Sequence, residues 1–392
     1  MNTNILNTDI QDFINNNLDK NITSILLKGT PFTSVDTKEI IEQIEAKKKC
    51  EHKLPTWFHT KNIYYSNKLN IEQTSSEITA SYKSKLINGG NIIDLTGGFG
   101  VDCYYFSKQF KQVIHCEIDS KLSELVNYNY KQLNINNIET KNIDGIEFLN
   151  TNDKSFDWIY TDPSRRHDSK GKVFFLNDCL PNIPENLNDL FKCTKNIMIK
   201  MSPLLDISIG INELKFVKTI HVVAVNNEVK ELLWILERGF IGEPEVKTVN
   251  ITKNSELHFD FSLEEEKNLE SLYSKPLTYL YEPNSAILKS GAFHSISNQL
   301  NVFKLQKHSH LYTSNRFVDF PGRQFKIDSI LPYNPKALKK LGLKKANITT
   351  RNFPESVEHI RKKLVIKDGG DLYLFFTTDL ESNKIVIIST KI

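Results

Sequence analysis

An apolar run that ends in an acid and breaks into glycines is the feature that most constrains the fold of this chain. Residues 91–95 have the apolar content of a buried strand, and a glycine turn from Gly97 to Gly100 comes soon after Asp94. Residues 101–110 are then predicted to form a helix. A strand, a glycine turn and a helix N-terminus let the backbone approach a nucleotide-like ligand closely.

A second apolar strand ends in another acid at the distance expected for a nucleotide fold. Residues 112–116 form the predicted strand, and Glu117 lies twenty residues after Gly97. In nucleotide-binding folds, an acid at this place accepts hydrogen bonds from the ribose hydroxyls. Because many nucleotide cofactors contain a ribose, Glu117 alone does not identify the ligand. The glycines do not follow the Gly-x-Gly-x-x-Gly spacing of dinucleotide folds.

A further strand pattern ends in an Asp-Pro pair. Residues 156–161 form the apolar run, and Asp162 and Pro163 follow it directly. Residues 94–102 resemble motif I of class I S-adenosylmethionine (SAM) methyltransferases, and the Asp-Pro pair resembles motif IV of RNA and DNA methyltransferases. A fold that binds NAD predicts no such pair. The ordered set of motifs therefore predicts a SAM-dependent methyltransferase.

This resemblance implies roles for the residues of the turns. Asp94 would order the glycine loop and reach the methionine amino group through its hydrogen bonds. Asp144 is a candidate for the adenine edge and equally for a helix cap, and it can fill both roles. Ile118 and Ile143 would sandwich the adenine ring. The predicted cofactor-binding residues are Asp94, Thr96, Gly97, Gly98, Gly100, Glu117, Ile118, Asp144 and Asp162.

The residues after the Asp-Pro pair depart from the usual pattern. Amino-methyltransferases have an aromatic residue two positions after the proline, which stacks on the flipped base, whereas this chain has Arg165 there. Arg165 and Arg166 would grip a phosphate or stack on a base, or else form surface salt bridges. Methyl transfer requires alignment of the acceptor and a place for its proton. We expect Asp162, Pro163 and Arg165 to act in catalysis and Lys200 to line the same pocket.

The segment just before the first strand has two interpretations. In class I methyltransferases this segment often folds over the cofactor, which would make Ser75, Ser76 and Glu77 contacts of its methionine end. The same residues also have the pattern of a simple helix cap before residues 78–87. The sequence does not decide between a lid and a cap.

Composition indicates a globular protein with room for several domains. The chain has 392 residues, of which 39% are hydrophobic and 25% charged, enough for two or three domains. No apolar run approaches the ~18 residues of a membrane helix, and the polar N-terminus lacks the features of a signal peptide. The five cysteines have no zinc spacing. We therefore expect a cytoplasmic protein with reduced thiols, no membrane association and no metal.

Strand and helix patterns alternate in the central part of the chain, as in a doubly wound fold. We predict a Rossmann-like, seven-stranded α/β methyltransferase core over residues 76–262, preceded by a helical N-terminal region over 1–75. Residues 227–238 are predicted to form a helix, and residues 245–261 an antiparallel hairpin at the sheet edge.

The rest of the chain resembles a specific group, the bacterial class I SAM methyltransferases with a C-terminal THUMP-like domain. The segments that carry this resemblance are residues 281–288, 320–323, 346–354 and 367–371. The resemblance implies two small α+β domains. We place a ferredoxin-like module at residues 276–320 and a THUMP-like domain at residues 321–392.

The charge of the C-terminal region is strongly asymmetric. Between Arg323 and Lys367, twelve lysines and arginines stand against three acids, although the net charge of the whole chain is only +3. Such a stretch suggests a polyanionic partner, and THUMP domains of other enzymes bind structured RNA. The expected substrate-binding residues are Arg165, Arg166, Lys200, Lys344, Lys345 and Arg351.

Three functional hypotheses follow. The first is a SAM-dependent methyltransferase of RNA, either tRNA or rRNA, whose basic C-terminal domain docks the substrate. The second assigns a protein or small-molecule acceptor, because Arg165 replaces the usual aromatic residue. The third is a non-catalytic module that binds SAM or RNA. The methylated atom and the oligomeric state do not follow from the sequence.

Overall fold

The computed structural model describes residues 1–165 and 175–392, and these residues form two compact units. The first unit comprises Met1–Val217 and Leu233–Ile241. The second comprises Lys218–Leu232 and Gly242–Ile392. The predicted site residue Arg166 lies outside the described residues.

The N-terminal part of the first unit is helical, as predicted. A short 3-10 helix (Thr3–Leu6) comes first, followed by α1 (Thr8–Asn16), α2 (Ile22–Lys28), α3 (Thr37–Lys53), α4 (Pro55–His59), α5 (Lys68–Gln73) and α6 (Glu77–Leu86). The side chains of Asp36 and Ser76 cap α3 and α6 by accepting hydrogen bonds from backbone N–H groups. The apolar faces of the 3-10 helix and of α1, α2 and α3 share a core that includes Ile5, Ile10, Ile14, Ile40 and Ile44.

Strands and helices then alternate through the rest of the first unit. The elements are β1 (Gly89–Asp94), α7 (Val101–Phe106), β2 (Phe110–Cys116), α8 (Ser120–Gln132), β3 (Ile138–Lys141), α9 (Gly145–Thr151), β4 (Phe156–Thr161), β5 (Ser164–Arg165), β6 (Cys179–Leu180), α10 (Ile183–Cys193), β7 (Thr194–Met201) and α11 (Ile207–Glu213). A separate two-stranded ribbon is formed by β5 and β6. The predicted doubly wound α/β architecture is confirmed.

The strand order of the first unit places a ligand crevice at β1. Five parallel strands lie in the order β7-β4-β1-β2-β3. Ile93 in the middle of β1 is fully buried and lies between Ile114 of β2 and Ile159 of β4. The chain runs outward from β1 to β3 on one side and starts again at β4 on the other. In open α/β sheets, ligands bind beyond the carboxyl ends of the strands where the order reverses in this way.

The prediction of a helix over residues 227–238 is wrong, because this segment forms a strand. The next elements are β8 (Val217–Val225), β9 (Glu228–Glu237), β10 (Glu245–Ile251) and β11 (Glu256–Ser262). Asn226 and Asn227 have left-handed φ values of 50° and 63°, the geometry of a two-residue hairpin turn. Leu232, Leu233 and Trp234 are fully buried, so the apolar run fits a strand covered on both faces. The predicted antiparallel hairpin of β10 and β11 is confirmed.

The remainder of the second unit is built on one mixed sheet. Its elements are α12 (Leu263–Asn268), β12 (Tyr279–Pro283), α13 (Ser285–Ser290), α14 (Ser295–Gln299), β13 (Phe303–Lys304), β14 (Tyr312–Ser314), β15 (Gly322–Pro332), α15 (Pro335–Lys340), β16 (Asn347–Thr350), α16 (Val357–Leu364), β17 (Leu372–Thr378) and β18 (Lys384–Lys391). The seven strands lie in the order β13-β14-β12-β15-β18-β17-β16. Only the pairing of β16 with β17 is parallel among those described.

Candidate active site

A cavity of about 520 Å³ lies at the carboxyl ends of the central strands of the first unit. Its walls come from the turns after β1, β2, β3 and β4, from α5 and the segment that follows it, and from the end of β6. The volume lies in the range of small-molecule sites. Seven of the predicted cofactor-binding residues line it: Thr96, Gly97, Gly98, Glu117, Ile118, Asp144 and Asp162.

Asp94 organises the glycine turn from below. It is 1% exposed at the end of β1, and its Oδ1 accepts hydrogen bonds from the Thr96 backbone N–H at 2.9 Å and the Thr96 hydroxyl at 3.2 Å. The Cys103 thiol donates to Oδ2 at 3.3 Å. Burial raises the pKa of Asp94 to about 7, against the opposing effect of the Thr96 hydrogen bond. Asp94 therefore holds the turn in shape from beneath the residues that line the cavity.

The glycines of the turn are required by close packing and by backbone geometry. A Cβ atom on Gly97 would lie 2.3 Å from the ring nitrogen Nε2 of His115. Gly98 and Gly100 have left-handed φ values of 53° and 80°, which residues with a side chain rarely adopt. A Cβ atom on Gly100 would also meet the hydroxyl of Tyr130 at 2.2 Å. At Gly97 and Gly100 a side chain would displace the side chains beneath the turn, whereas at Gly98 only the left-handed backbone favours glycine.

Glu117 lies directly opposite the glycine turn. Its Oε2 accepts a hydrogen bond from the Gly98 N–H at 2.9 Å, and its Oε1 accepts one from the Asp119 N–H at 2.8 Å. Each oxygen keeps a second lone pair, and the residue lines the cavity. Glu117 is thus placed to accept from a diol, as predicted for a ribose.

Two isoleucines and an acid form the next part of the wall. Ile118 is 73% exposed, and it lines the cavity together with Ile143, which suits an apolar ring placed between them. Asp144 caps α9, with its Oδ1 accepting from the N–H groups of Ile146 and Glu147 at 2.8 and 3.1 Å. Because both capping bonds go to one oxygen, Asp144 can serve as the cap and still present an acceptor to the cavity.

The Asp-Pro pair is attached to the glycine turn. The backbone N–H of Asp162 donates to the Thr96 hydroxyl at 2.7 Å, so one threonine connects Asp94 to the turn after β4. The Asp162 carboxylate forms an ion pair with Lys200 at the end of β7. Lys200 was expected to line the cavity, but it lies outside the described lining and instead holds Asp162. Pro163 is buried.

Several lining residues were missed by the sequence reasoning. Helix α5 contributes Asn70 and Gln73, Thr74 follows that helix, the start of α7 contributes Asp102, and the end of β6 contributes Leu180 and Pro181. Asp102 belongs to the glycine motif, and its acidic character was the available signal. No local pattern marks Leu180, because the pairing of β6 with β5 brings it to the cavity.

The segment before β1 caps a helix and contributes one of its three candidate residues to the wall of the cavity. Ser75 lines the cavity, whereas the Ser76 hydroxyl accepts from the Thr79 N–H at 3.2 Å and caps α6. Glu77 faces elsewhere, where its carboxylate accepts hydrogen bonds from Thr56 and from the Tyr105 hydroxyl. The segment is therefore both a wall of the cavity and a helix cap.

The other predicted substrate residues differ in their surroundings. Lys344 and Lys345, in the second unit, are exposed. Arg351 forms an ion pair at 2.8 Å with Glu282, whose side chain is 4% exposed, and Arg323 pairs with the same carboxylate. Arg351 thus has a structural partner. The backbone of Arg165 belongs to the ribbon with β6, whereas Arg166 is outside the described residues.

Comparison with known proteins identifies the family. The crystal structure of a putative methyltransferase from Porphyromonas gingivalis W83 matches with a TM-score of 0.87 and 30% sequence identity, over 99% of this chain and 98% of the other. Family models of a ferredoxin-like domain and of a THUMP-like domain match residues 279–321 and 322–391. The chain belongs to the class I methyltransferases with a C-terminal THUMP-like domain.

Other structures match this methyltransferase only in part. TrmK from M. capricolum, in complex with S-adenosylhomocysteine (SAH), gives a TM-score of 0.33 at 15% identity over 41% of this chain and 68% of the other. An rRNA methylase from Streptococcus thermophilus gives 0.30 at 13% identity over 41% and 93%. No curated protein sequence matches the chain.

SAM is the cofactor of this class of methyltransferase, and the cavity has groups that fit it. Glu117 suits the ribose, Ile118 and Ile143 suit the adenine ring, and the glycine turn leaves room for the backbone to approach the ligand. Among the described residues, no group of three or more His, Cys, Asp or Glu side chains could hold a metal ion. No helix in that part of the chain is long and apolar enough to cross a membrane.

Proposed function

We propose that this methyltransferase uses SAM to methylate RNA, with the second unit binding the RNA backbone. The observation that carries the proposal is the position of Asp162. Its carboxylate lies on the wall of the cofactor cavity, is held by Lys200, and is joined through Thr96 to the glycine turn. The acceptor side and the cofactor side of the site are thereby parts of one hydrogen-bonded arrangement.

The chemistry of transfer makes modest demands on the protein. SAM supplies a methyl group already activated on a sulfonium, so the protein chiefly has to align the acceptor atom. Asp162 would accept a hydrogen bond from an amine or hydroxyl of the acceptor and orient its lone pair toward the methyl group. Lys200 would keep that carboxylate in place, and Leu180 and Pro181 would cover one side of the acceptor.

The basic surface of the second unit supports RNA as the substrate. Three of its arginines are engaged in ion pairs, Arg323 and Arg351 with Glu282 and Arg361 with Asp368. Its exposed cations include a group of lysines in α15 and in the segments near it. The lysines of this group are Lys336, Lys339, Lys340, Lys344, Lys345, Lys362 and Lys367. Lysines act as point charges toward phosphate and carry little base specificity, which suits recognition of an RNA backbone.

The experiment that tests this function is transfer of labelled methyl groups from SAM to total RNA from a strain that lacks the gene. We expect label in one RNA size class with the wild-type protein. Asp162→Ala should lose the label while keeping SAH affinity near the wild-type value, because Asp162 would act on the acceptor. Asp153→Ala is the matched control, since Asp153 is exposed and outside the cavity lining.

The alternative functions predict different results. Label that enters protein or a small molecule but never RNA would favour the second hypothesis, which the arginine after Asp-Pro motivates. Tight SAH binding with no transfer to any acceptor would favour a binding module. Turnover that disappears in Asp162→Ala with unchanged SAH affinity rules out that third hypothesis.

A further inference from the structure

The structure points to Asp102 as the residue that receives the α-ammonium group of the cofactor's methionine, with Ser75 and Lys83 completing the subsite. We propose this as a deeper assignment within the proposed function, since it rests on SAM being the ligand of the cavity. It concerns recognition of the amino-acid end of the cofactor, as distinct from the ribose and adenine contacts. The sequence motifs assigned that role to Asp94.

Asp102 has the position that such a residue needs. It lies in the first turn of α7 and lines the cavity, with a side chain that is only 11% exposed. Its Oδ2 accepts hydrogen bonds from the hydroxyls of Ser75 at 2.8 Å and Tyr160 at 2.9 Å. Its Oδ1 lies 3.1 Å from the Lys83 ammonium but is a buried oxygen with no hydrogen bond of good geometry from any described residue. The Asp102 carboxylate thus has one oxygen whose capacity to accept a hydrogen bond the described residues leave unfilled.

Asp94 is a poorer candidate on geometric grounds. It lies beneath the glycine turn, outside the described lining of the cavity. Both of its oxygens already accept hydrogen bonds, from Thr96 and from Cys103. Burial raises its pKa to about 7, so a substantial share of it is neutral near neutral pH. Burial also opposes ionisation of Asp102, but Lys83 and Lys200 outweigh that effect and lower its pKa, which keeps Asp102 negatively charged.

The charges around Asp102 match an amino-acid zwitterion. Lys83 is fully buried and donates to the Ser75 hydroxyl at 2.9 Å, so a positive charge stands directly behind a hydroxyl that lines the cavity. The methionine end of the cofactor carries one ammonium and one carboxylate. Its ammonium would meet Asp102, and its carboxylate would lie on the Ser75 side, where Lys83 favours negative charge. A buried ion pair opposite a zwitterion leaves no uncompensated charge in the site.

The test compares two ligands that differ only at the amino-acid end. SAH carries the whole zwitterion, whereas 5′-methylthioadenosine keeps the adenosine and the sulfur but lacks the amino acid. We expect Asp102→Asn to weaken SAH binding by about 10- to 100-fold, the usual effect of losing a charged hydrogen bond, and to change 5′-methylthioadenosine binding by less than about 2-fold. Isothermal titration calorimetry measures both affinities on the full chain.

Two further variants guard against a folding defect. In Lys83→Met/Asp102→Asn no buried ammonium is left without its partner, and we expect the same selective loss of SAH affinity. In Asp144→Asn, on the adenine side of the cavity, we expect any loss to be equal for the two ligands. Equal losses in Asp102→Asn, or unchanged SAH affinity in both Asp102 variants, would overturn the assignment. Failure of the wild-type protein to bind either ligand would instead contradict the proposed function.

Discussion

At the scale of single residues, the acids of the cavity region divide into structural and ligand-facing groups. Asp94 is buried beneath the glycine turn and accepts hydrogen bonds from the turn itself. Glu117 and Asp162 line the cavity, although each also holds a neighbouring loop. The degree of burial distinguishes Asp94 from the other two acids, because a fully buried carboxyl group is costly to ionise. The acid that ends β1 is therefore best understood as part of the loop's internal structure.

Replacement of Asp94 by asparagine tests that interpretation through pH. The folded state holds the Asp94 proton more tightly than the unfolded chain, because burial raises the pKa from 3.8 to about 7. The Asp94 contribution to stability is thus fully present below pH 3.8 and is lost as the pH rises to about 7. Asp94→Asn has no such proton, so the stability of the wild-type protein relative to the variant should fall over this range, by roughly 1.4 kcal/mol per unit of pKa shift.

Chemical denaturation of both proteins between pH 4 and pH 8 measures this difference. Asp153→Asn, at an exposed position, is the control. Its stability relative to the wild-type protein should not change over this pH range. A difference between wild-type protein and Asp94→Asn that is constant with pH would mean that Asp94 is ionised in the folded protein throughout.

At the scale of secondary structure elements, one buried carboxylate joins three strands of the second sheet. Glu282 lies in β12, Arg323 lies in β15 and Arg351 follows β16 directly. Both arginines form ion pairs with Glu282, and the Arg351 Nε donates to its Oε1 at 3.0 Å. The Arg323 guanidinium also donates to the Thr349 hydroxyl at 3.2 Å. The basic residues closest to this junction therefore stabilise the fold of the second unit.

Glu282→Ala should destabilise the protein strongly, because it leaves two partly buried guanidinium groups without their partner. Breaking a buried pair costs about 3–5 kcal/mol. Glu381→Ala removes an acid from an exposed pair with Lys275, whose side chains are 63% and 68% exposed. That variant should lose at most about 1 kcal/mol. The free energy of unfolding in urea gives both values, and similar losses in the two variants would contradict a structural role for Glu282.

At the scale of the whole molecule, the cavity and the group of exposed lysines belong to different units. The first unit contains the cavity and the turns after β1, β2, β3 and β4 that line it. The second unit carries exposed lysines at the end of α15 and before β16, and the Lys367 N–H donates to the Lys344 carbonyl oxygen at 3.0 Å, which brings two of them together. A cluster of point charges of this kind binds phosphates through release of counterions.

Replacement of Lys344 and Lys345 by glutamine should therefore weaken RNA binding without affecting stability. The loss should be similar for all RNA sequences, and each phosphate contact removed should reduce the slope of log affinity against log salt concentration by about 1. Fluorescence anisotropy at several salt concentrations measures this slope. Lys253→Gln changes an exposed lysine in the hairpin formed by β10 and β11 of the same unit. This control variant should leave the slope unchanged. An unaltered slope in the double variant would show that the RNA binds elsewhere.

The sequence by itself determined the parts of this protein whose physics is local. The glycine turn, the acids that end β1 and β2 and the Asp-Pro pair after β4 could be recognised because each depends on neighbours within a few residues. The same holds for the alternation of strands and helices. Charge counts along the chain likewise identified a basic C-terminal region.

Only the tertiary structure decided which residues meet. The segment 227–238 has an apolar pattern that suits a helix or a strand, and burial on both faces made it β9. The sequence predicts Arg351 as a substrate-binding cation, but in the structure it forms an ion pair with Glu282, 69 residues away. Asp102, Lys83 and Leu180 reach the cavity region through packing between distant segments. Such contacts depend on long-range burial and pairing of charge, which no local window of sequence contains.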